Sequence, residues 1–364
     1  MADLRIAVLP GDGVGPEVTS AGLELLHVIA RDGGHRVVAG EHPIGWAGMR
    51  DGLEPLPART LAACRSADAV LLGAVGDPSA DRLPPVERPV QGLLQLRQEL
   101  GCYANLRPVR VSSGLVRYSA VRPDICRGTD ILIVRELGGG IYYGEPRGLD
   151  EDVGRAWNTL EYDTGEIERI ARVAFGLAAE RRGQLTSVDK ANVLEVSRLW
   201  RSTVESLADD YPSVATEHML VDRAALEVVV RPDRFDVILT ANLFGDILSD
   251  GAAALAGSLG PLGSASLGGE TDLYEPVHGS APDIAGSGVA NPLGAIASVG
   301  LMLEHTFGLT AEARRLEAAV DRTLAAGHRT PDLSPASDAP TPLPPMDTVS
   351  FTAAVTAELT SLAR

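Results

Sequence analysis

The sequence predicts an α/β protein with a mostly parallel sheet flanked by helices. Short apolar runs alternate with longer amphipathic segments along most of the chain, which is typical of repeated strand–helix–strand units. A glycine-rich turn joins the first apolar run to the first helical segment. The chain has 364 residues, enough for two domains or for one large α/β unit.

The individual elements follow from local patterns. The first predicted strand covers 5–9 and the first predicted helix covers 16–30, with Pro16 suited to a first helical turn. A helix is predicted over 166–182 because Ile167, Ile170 and Ala174 share one stripe. The remaining predicted strands are 36–39, 69–72, 131–134, 185–188 and 236–240. The remaining predicted helices are 195–207, 244–256 and 351–362, with an exposed connection rich in Pro, Ser, Thr and Asp predicted over 329–345.

The charge and cysteine content narrow the class of protein. A net charge of -17 argues against nucleic acid or an anionic membrane surface as a partner, since both require clustered positive charge. Cys64, Cys102 and Cys126 are odd in number and none forms a CxxC pair, which fits a reducing compartment. No signal peptide and no apolar run of membrane-spanning length is recognisable, so a cytoplasmic protein is expected.

Lys190 is the only lysine in a chain with 32 lysine and arginine residues. Arginine stays protonated in proteins, whereas a partly buried lysine can lose its proton. A single retained lysine therefore indicates an amine used in proton transfer. The alternative is a lysine that persists by chance on a solvated face, and the count alone does not separate the two.

The glycine-rich turn, Gly11-Asp-Gly-Val-Gly15, resembles a dinucleotide-binding fingerprint only in part. Its spacing is GxGxG followed by Pro16, and not GxGxxG. The acidic residue near the end of a second strand, Glu41, also comes later than the roughly 20 residues expected for that fingerprint. Both mismatches argue against a standard Rossmann fold.

Two aspartates form a candidate metal site. Asp246 and Asp250 are four residues apart in a predicted helix, so they share a face with Cβ atoms about 5–6 Å apart. Their neighbours Phe244, Ile247 and Leu248 are apolar, and two carboxylates in such a setting favour a bound cation. Oxygen ligands suit Mg²⁺ or Mn²⁺ and not zinc. The alternative is an ordinary acidic helix start.

Three arginines are candidate anion ligands. Arg97, Arg107 and Arg135 each lie in a stretch that is otherwise apolar or small. A buried guanidinium is costly unless it is paired, and a dicarboxylate substrate would pair it in a bidentate manner. A structural ion pair with an acidic residue is the alternative for each of them.

The segment 274–286 and the following Ala290-Asn-Pro292 are dense in glycine, proline and small polar residues. Loops of this composition commonly bind a ligand. Asp283 could accept hydrogen bonds from the ribose hydroxyls of NAD, and it would repel the 2′-phosphate of NADP.

Taken together, five segments resemble the isopropylmalate dehydrogenase branch of the β-decarboxylating dehydrogenases, in that family's order and over nearly the whole chain. They are 11–18 (GDGVGPEV), 134–146 (VRELGGGIYYGEP), 187–193 (SVDKANV), 242–250 (NLFGDILSD) and 274–286 (YEPVHGSAPDIAG). The resemblance implies an isopropylmalate dehydrogenase-like fold of two domains with the active site in a cleft between them. The larger, cofactor-binding domain would combine 1–103 and 258–364. The middle, 104–257, would hold the dimer interface and the metal and substrate ligands.

The resemblance also implies roles for individual residues. Lys190 matches the base that takes the C2 hydroxyl proton, and Tyr142 matches the acid that protonates carbon after CO₂ leaves. Asp246 and Asp250 match metal ligands for Mg²⁺ or Mn²⁺. Asp222 matches a third metal ligand that also borders the substrate. In the implied homodimer, Lys190 and Asp222 serve the neighbouring subunit's site.

The implied substrate and cofactor ligands form two further sets. The substrate set is Arg97, Arg107 and Arg135 for the carboxylates, with Leu93, Leu94 and, from the neighbouring subunit, Val193 for the C3 substituent. The NAD set is Glu275, His278, Gly279, Ser280, Ala281, Asp283, Ile284 and Asn291.

The implied activity is NAD-dependent oxidative decarboxylation of 3-isopropylmalate to 4-methyl-2-oxopentanoate and CO₂, a step of leucine biosynthesis. Apolar side chains at Leu93, Leu94 and Val193 would reject the extra carboxylate of isocitrate. Val90 departs from the family, which usually has a glutamate there, so the alternative is another malate: 3-methylmalate, tartrate, isocitrate or homoisocitrate. A non-catalytic NAD-binding protein is the third hypothesis, and the intact Lys190 and Tyr142 weigh against it.

Overall fold

The structure is a computed structural model that describes residues 2–50, 54–84, 87–335 and 343–363. The chain forms two compact units. The first combines Met1–Cys102, Val111–Arg127 and Ala253–Arg364, and the second combines Tyr103–Arg110 and Gly128–Ala252. The segment Val111–Arg127, which falls inside the predicted middle domain, packs with the first unit. The cofactor-binding and dimerisation roles of the domains stay predictions.

The first unit contains five described strands, numbered here along the whole chain. They are β1 (Asp3–Gly11), β2 (Arg36–Glu41), β3 (Ala69–Ala74), β11 (Gly263–Leu267) and β12 (Asp272–Pro276), in the order β2-β1-β3-β12-β11. The first four are parallel and β11 is antiparallel to β12. All six residues of β3 are buried, as expected for a central strand covered on both faces.

The helices of the first unit bury apolar stripes against these strands and one another. They are α1 (Gly15–Asp32), α2 (Trp46–Arg50), α3 (Ala58–Ser66), α4 (Val90–Leu100), α5 (Pro123–Cys126), α10 (Leu293–His305), α11 (Thr310–Ala325) and α12 (Thr348–Ser361). On α1, the buried Val18, Leu25 and Ile29 recur at helical spacing. No helix in the described ranges is long and apolar enough to cross a bilayer.

The second unit repeats the same architecture. Its strands are β4 (Ala104–Arg110), β5 (Asp130–Glu136), β8 (Gln184–Asp189), β9 (Ala215–Leu220) and β10 (Val237–Thr240), in the order β4-β5-β10-β8-β9. Only the β4–β5 pairing is antiparallel among these described strands. The helices are α6 (Thr164–Glu180), α7 (Glu195–Ala208), α8 (Val221–Val230) and most of α9 (Asn242–Ala256). A separate antiparallel pair joins β6 (Gly148–Asp150) to β7 (Arg155–Trp157).

The predicted α/β class with a mostly parallel sheet is confirmed. Each strand and helix named from the sequence is present, with ends that differ by a few residues. The helix predicted over 166–182 begins earlier, at Thr164, because Asp163 and Glu166 form a reciprocal capping box. Such caps depend on backbone geometry, which periodicity alone does not specify.

The connection predicted to be exposed over 329–345 is buried where it begins. Arg329, Thr330 and Leu333 are buried. Asp332 explains this, since its carboxylate accepts hydrogen bonds from Asn291 Nδ2 (2.9 Å) and Ser258 Oγ (2.6 Å). These bonds tie the connection to the rest of the first unit. Residues 336–342 lie outside the described residues.

The three cysteines carry free thiols and all are buried. Burial raises the pKa of the Cys64 and Cys102 thiols to about 12, so both stay protonated at neutral pH. They behave as small apolar side chains of the core.

The last helix provides a test of the packing. Phe351 is fully buried on α12, whereas Val349, two residues before it, is 75% exposed. We expect Phe351→Ala to lower the free energy of unfolding by about 3–5 kcal/mol, since it removes an aromatic ring and leaves a cavity. Val349→Ala, the matched control, should change it by less than about 0.5 kcal/mol. Urea denaturation measures both, and equal effects would contradict the packing of α12.

Candidate active site

Two arginines and an aspartate meet in the second unit. Arg107 lies on β4, Arg135 lies near the end of β5, and Asp246 lies in the second turn of α9. Arg135 Nη1 donates to Asp246 Oδ1 (2.5 Å), and Arg107 Nη2 lies 3.3 Å from the same oxygen. Both guanidinium groups are buried. The antiparallel pairing of β4 with β5 therefore sets two cations against one carboxylate.

Tyr142 and Asp250 complete this cluster. The Tyr142 hydroxyl donates to Asp246 Oδ2 (2.7 Å), and the Arg135 guanidinium lies 5.5 Å from the centre of the tyrosine ring. Asp250 Oδ1 lies 3.7 Å from Arg107 Nη1. Five residues singled out from the sequence are thus brought together by one helix, two strands and the loop that follows β5.

The protonation states in this cluster follow from burial and charge. Burial raises the pKa of Tyr142, and the hydrogen bond to the Asp246 carboxylate raises it further against the opposing charge of Arg135. The phenol therefore keeps its proton at neutral pH. Burial also raises the pKa of Asp250, and Arg107 opposes that shift.

The donor set is chemically suited to a hard divalent cation. Asp246 and Asp250 offer carboxylate oxygens one helical turn apart, and Mg²⁺ and Mn²⁺ prefer oxygen ligands. Within the described part of the chain, no three His, Cys, Asp or Glu side chains are grouped so that they could hold a metal. A single chain therefore brings together two of the three predicted metal ligands, Asp246 and Asp250, without Asp222.

Lys190 and Asp222 form a second group in the same unit. Lys190 follows β8, Asp222 lies in the first turn of α8, and Lys190 Nζ donates to Asp222 Oδ1. The hydrogen bond from Lys190 lowers the pKa of the Asp222 carboxyl. The predicted base and the predicted third metal ligand are therefore neighbours of each other. Val193 is exposed in the turn after Lys190, where its N–H donates to the Lys190 carbonyl (3.0 Å).

The backbone beside Lys190 is held by a partly buried ion pair that the sequence did not reveal. Asp189 is buried and accepts from Arg201 Nε and Nη2, both at 2.9 Å. It also accepts from the N–H of Ala191 at 2.9 Å. These three bonds fix the chain on either side of Lys190.

In the first unit, Arg97 pairs with Glu275. Arg97 Nη2 lies 2.5 Å from Glu275 Oε1, and both side chains are buried. A predicted substrate ligand and a predicted NAD-site residue thus form an ion pair, which is the alternative left open for each arginine. Leu93 and Leu94 lie four and three residues before Arg97 on α4, so they share its face of the helix, and both are half-buried.

The glycine-rich turn braces the predicted cofactor loop. Val14 N–H donates to the Ser280 carbonyl (2.8 Å), and Glu17 Oε1 accepts from the N–H of Gly286 (2.5 Å). Gly13 has φ +58°, and a Cβ there would lie 1.9 Å from the Ser280 carbonyl oxygen. The turn therefore requires glycine at this position because another loop packs directly against it.

The predicted cofactor loop has a packed side and an open side. Ala281 and Ile284 pack on a buried apolar cluster that includes Val14 and Val18. A Cβ at Gly279 would meet no atom within 4 Å, and Asp283 is exposed. The open side consequently offers backbone groups and a carboxylate to a ligand.

His278 and Asn291 have local partners. His278 Nδ1 lies 2.9 Å from the Gly279 carbonyl oxygen, and burial lowers the pKa of the imidazole. Asn291 Oδ1 accepts from the N–H of Leu293 (3.0 Å) at the start of α10. These contacts shape the two ends of the loop.

Three polar residues of the site region were not assigned from the sequence. Asn105 and Asn242 each accept a hydrogen bond from an arginine of the cluster, and Asp12 accepts from the N–H groups of Trp46, Ala47 and Gly76. Asn105 lies two residues before Arg107, and Asn242 lies four residues before Asp246, in segments that were singled out for those charged residues. A neutral amide produces no charge or periodicity signal, so the sequence could not distinguish them from ordinary polar positions.

Comparison with known proteins identifies the family of the chain. Residues 5–355 match the family model described as isocitrate/isopropylmalate dehydrogenase. The chain is 54% identical over 338 residues to the 3-isopropylmalate dehydrogenase of Geobacillus kaustophilus, covering 92% of this chain and 91% of that one. It is 52% identical over 336 residues to the same-named protein of Synechococcus sp. (strain CC9605), covering 92% and 94%.

Solved structures with the same fold include relatives of lower identity. The crystal structure of isocitrate dehydrogenase from Methylococcus capsulatus matches with a TM-score of 0.85 and 34% identity, covering 99% of both chains. A β-decarboxylating dehydrogenase from Thermococcus kodakarensis matches with a TM-score of 0.79 and 35% identity, covering 99% of this chain and 97% of that one. The family resemblance and the isopropylmalate dehydrogenase-like fold expected from the motifs are confirmed. The chain belongs to the isocitrate/isopropylmalate dehydrogenase family.

Proposed function

We propose that this chain is an NAD-dependent dehydrogenase that oxidatively decarboxylates 3-isopropylmalate to 4-methyl-2-oxopentanoate and CO₂ in leucine biosynthesis. The observation that carries the proposal is the cluster in which Arg107, Arg135 and Tyr142 converge on Asp246. This cluster brings together guanidinium groups that can bind carboxylates, a protonated phenol, and carboxylate oxygens that can bind a cation. The relatives that share half of its sequence bear the name of this activity.

Substrate binding rests on the two buried guanidinium groups. Arg107 and Arg135 bind the carboxylates of the malate, because a planar guanidinium matches a carboxylate in a bidentate manner. Arg97 is a third carboxylate ligand in this proposal. Leu93, Leu94 and Val193 contact the C3 substituent, since an isopropyl group needs apolar neighbours.

The metal and the nicotinamide supply the chemistry that side chains cannot. Asp246 and Asp250, with Asp222 of a second copy, would hold Mg²⁺ or Mn²⁺, and the loop around Asp283 would hold NAD. Once bound, the nicotinamide would supply a hydride acceptor for C2, and the cation would supply Lewis acidity for the loss of CO₂.

The chain's own acid and base move the protons. Lys190 removes the C2 hydroxyl proton while C2 is oxidised. Tyr142, whose phenol is protonated at neutral pH, delivers a proton to the carbon from which CO₂ has left. Arginine at position 190 would remain charged and could not act as the base.

The active unit is a homodimer in this proposal. Lys190 and Asp222 pair with each other, separately from the cluster around Asp246, and they would serve the site of the second copy. Exposed apolar side chains on α8 and α9 support an interface there, namely Leu226, Val230 and Ile247. We place the enzyme in the cytoplasm, since its cysteines are buried free thiols.

A sister substrate is the second candidate, and Val90 favours it. Val90 is exposed at the start of α4, where related enzymes usually have a glutamate. The alternatives are 3-methylmalate, tartrate, isocitrate and homoisocitrate. Each methylene of an alkyl substituent changes the binding free energy in such a pocket by only about 1–3 kcal/mol. We therefore expect 3-methylmalate to be a substrate too, with a lower rate than 3-isopropylmalate.

A substrate panel tests the proposed function. Purified protein is given NAD⁺, Mn²⁺ and each of these 2-hydroxy diacids, and NADH absorbance is followed. We expect the highest kcat/KM with 3-isopropylmalate and at least about 100-fold less with isocitrate, whose extra carboxylate would be unpaired against apolar side chains. A higher kcat/KM with another malate would establish the sister enzyme, and no turnover at all would reject both.

Lys190→Arg tests the base. We expect kcat to fall by at least about 100-fold, the usual contribution of a general base, while melting temperature and oligomeric state stay unchanged. The converse exchange, Arg172→Lys at an exposed position of α6, should leave kcat within about twofold. Wild-type turnover by Lys190→Arg would rule out Lys190 as the base.

Gly13→Ala tests the brace beneath the cofactor loop. The new Cβ would displace Ser280, so KM for NAD⁺ should rise by about tenfold or more while KM for the malate changes little. Gly34→Ala is the matched control, because Gly34 has a similar φ of +70° but no atom within 4 Å of a Cβ. Both variants carry the same backbone strain. Equal KM values for NAD⁺ in the two would show that the contact with Ser280 is unimportant.

A further inference from the structure

Two asparagines accept hydrogen bonds from the Nε groups of the two arginines in the cluster. Asn105 Oδ1 accepts from Arg107 Nε (2.8 Å). Asn242 Oδ1 accepts from Arg135 Nε (3.1 Å) and Nη2 (2.7 Å). Both asparagines are buried, and Asn105 lies directly opposite Arg135 in the β4–β5 pairing. Each guanidinium plane is thereby oriented from its Nε side.

Asn242 also connects Arg135 to the loop that carries Tyr142. Its Nδ2 donates to the carbonyls of Leu137 (3.3 Å) and Gly139 (3.0 Å), and its backbone N–H donates to the Tyr162 hydroxyl (3.0 Å). The amide therefore uses its acceptor toward the arginine and its donors toward the loop. Aspartate could perform only the first of these tasks, because an ionised carboxylate cannot donate.

Two other arginines of the same unit donate from Nε to a buried carboxylate. Arg201 Nε donates to Asp189 (2.9 Å), and Arg181 Nε donates to Asp236 (2.8 Å). Those pairs neutralise the guanidinium charge. An amide accepts the same hydrogen bond without a net charge. The carboxylates that do contact these arginines belong to Asp246, which meets both, and Asp250, which lies 3.7 Å from Arg107. Both are predicted metal ligands whose charge a bound cation would offset.

We propose that Asn105 and Asn242 are positioning residues that orient Arg107 and Arg135 while leaving their positive charge to attract a dicarboxylate substrate. The inference rests on the proposed function, because it takes the malate carboxylates as the ligands of these arginines. It adds that the Nε acceptor must be neutral, because a carboxylate there would add negative charge where the substrate carboxylates bind. This matters in a chain whose net charge is already -17.

The exchanges Asn105→Asp and Asn242→Asp test this directly. Each replaces one amide nitrogen with oxygen, so the acceptor toward Nε remains and one negative charge is added. We expect KM for the best malate of the panel, at saturating NAD⁺ and Mn²⁺, to rise at least about tenfold in both. Asn242→Asp should also lower kcat, because it loses its donors to the loop that carries Tyr142.

Asn158→Asp and Asn105→Ser are the controls. Asn158 is exposed between β7 and α6, so the same charge change there should alter KM by less than about twofold. Asn105→Ser is neutral but shorter, so it should raise KM less than Asn105→Asp does. A larger effect of serine would show that orientation alone matters, and KM values equal to that of Asn158→Asp would overturn the proposal.

Calorimetric titration of the malate into the Mn²⁺-loaded variants without NAD⁺ provides a readout independent of turnover. The dissociation constants should follow the same ranking as KM, with melting temperatures close to wild type. Lack of turnover by the wild type in the panel would reject the proposed function. Unchanged malate affinity in both aspartate variants would reject only the role of the asparagines, and a wild type that neither binds nor turns over any malate would reject both.

Discussion

The carboxylate of Asp246 is the contact on which the site of the second unit depends. One oxygen meets Arg107 and Arg135, and the other accepts from the Tyr142 hydroxyl. Without that carboxylate, two buried cations from neighbouring strands would face each other, at a large cost in free energy. The first turns of α9 thus hold two predicted substrate ligands and the predicted acid around one carboxylate. Neutral acceptors at Asn105 and Asn242 then fix the guanidinium planes without removing their charge.

In the first unit, the main feature is the support of an open loop by the glycine-rich turn. Loop residues 278–286 expose glycines and Asp283, so few of their own side chains can pack. The glycine-rich turn supplies the missing support through the Val14–Ser280 and Glu17–Gly286 hydrogen bonds. The glycine-rich turn, which resembles a dinucleotide fingerprint only in part, therefore supports the predicted cofactor loop by packing against it.

Much of the fold could be predicted because it depends on local periodicity. The apolar run of β3 and the stripe of α6 are visible in the sequence, since burial in a parallel sheet requires continuous apolar strands and helices require apolar spacing near 3.6. The buried start of the connection at Thr330 was not predictable, since it depends on Asp332 meeting Asn291 and Ser258, far away in the chain. Composition alone had indicated exposure there.

The sequence by itself determined which reactive side chains are present, namely one lysine, the arginines and the spaced pair Asp246 and Asp250. It also contains motifs specific enough to indicate the family. Residue type and short spacing carry that information, because ionisation and metal preference belong to the side chain. Only the tertiary structure decided which groups meet. It paired Arg97 with Glu275 and Lys190 with Asp222, and it set two asparagines behind the arginines. Such pairings join residues brought together by strand register and helix packing, and no local pattern encodes them.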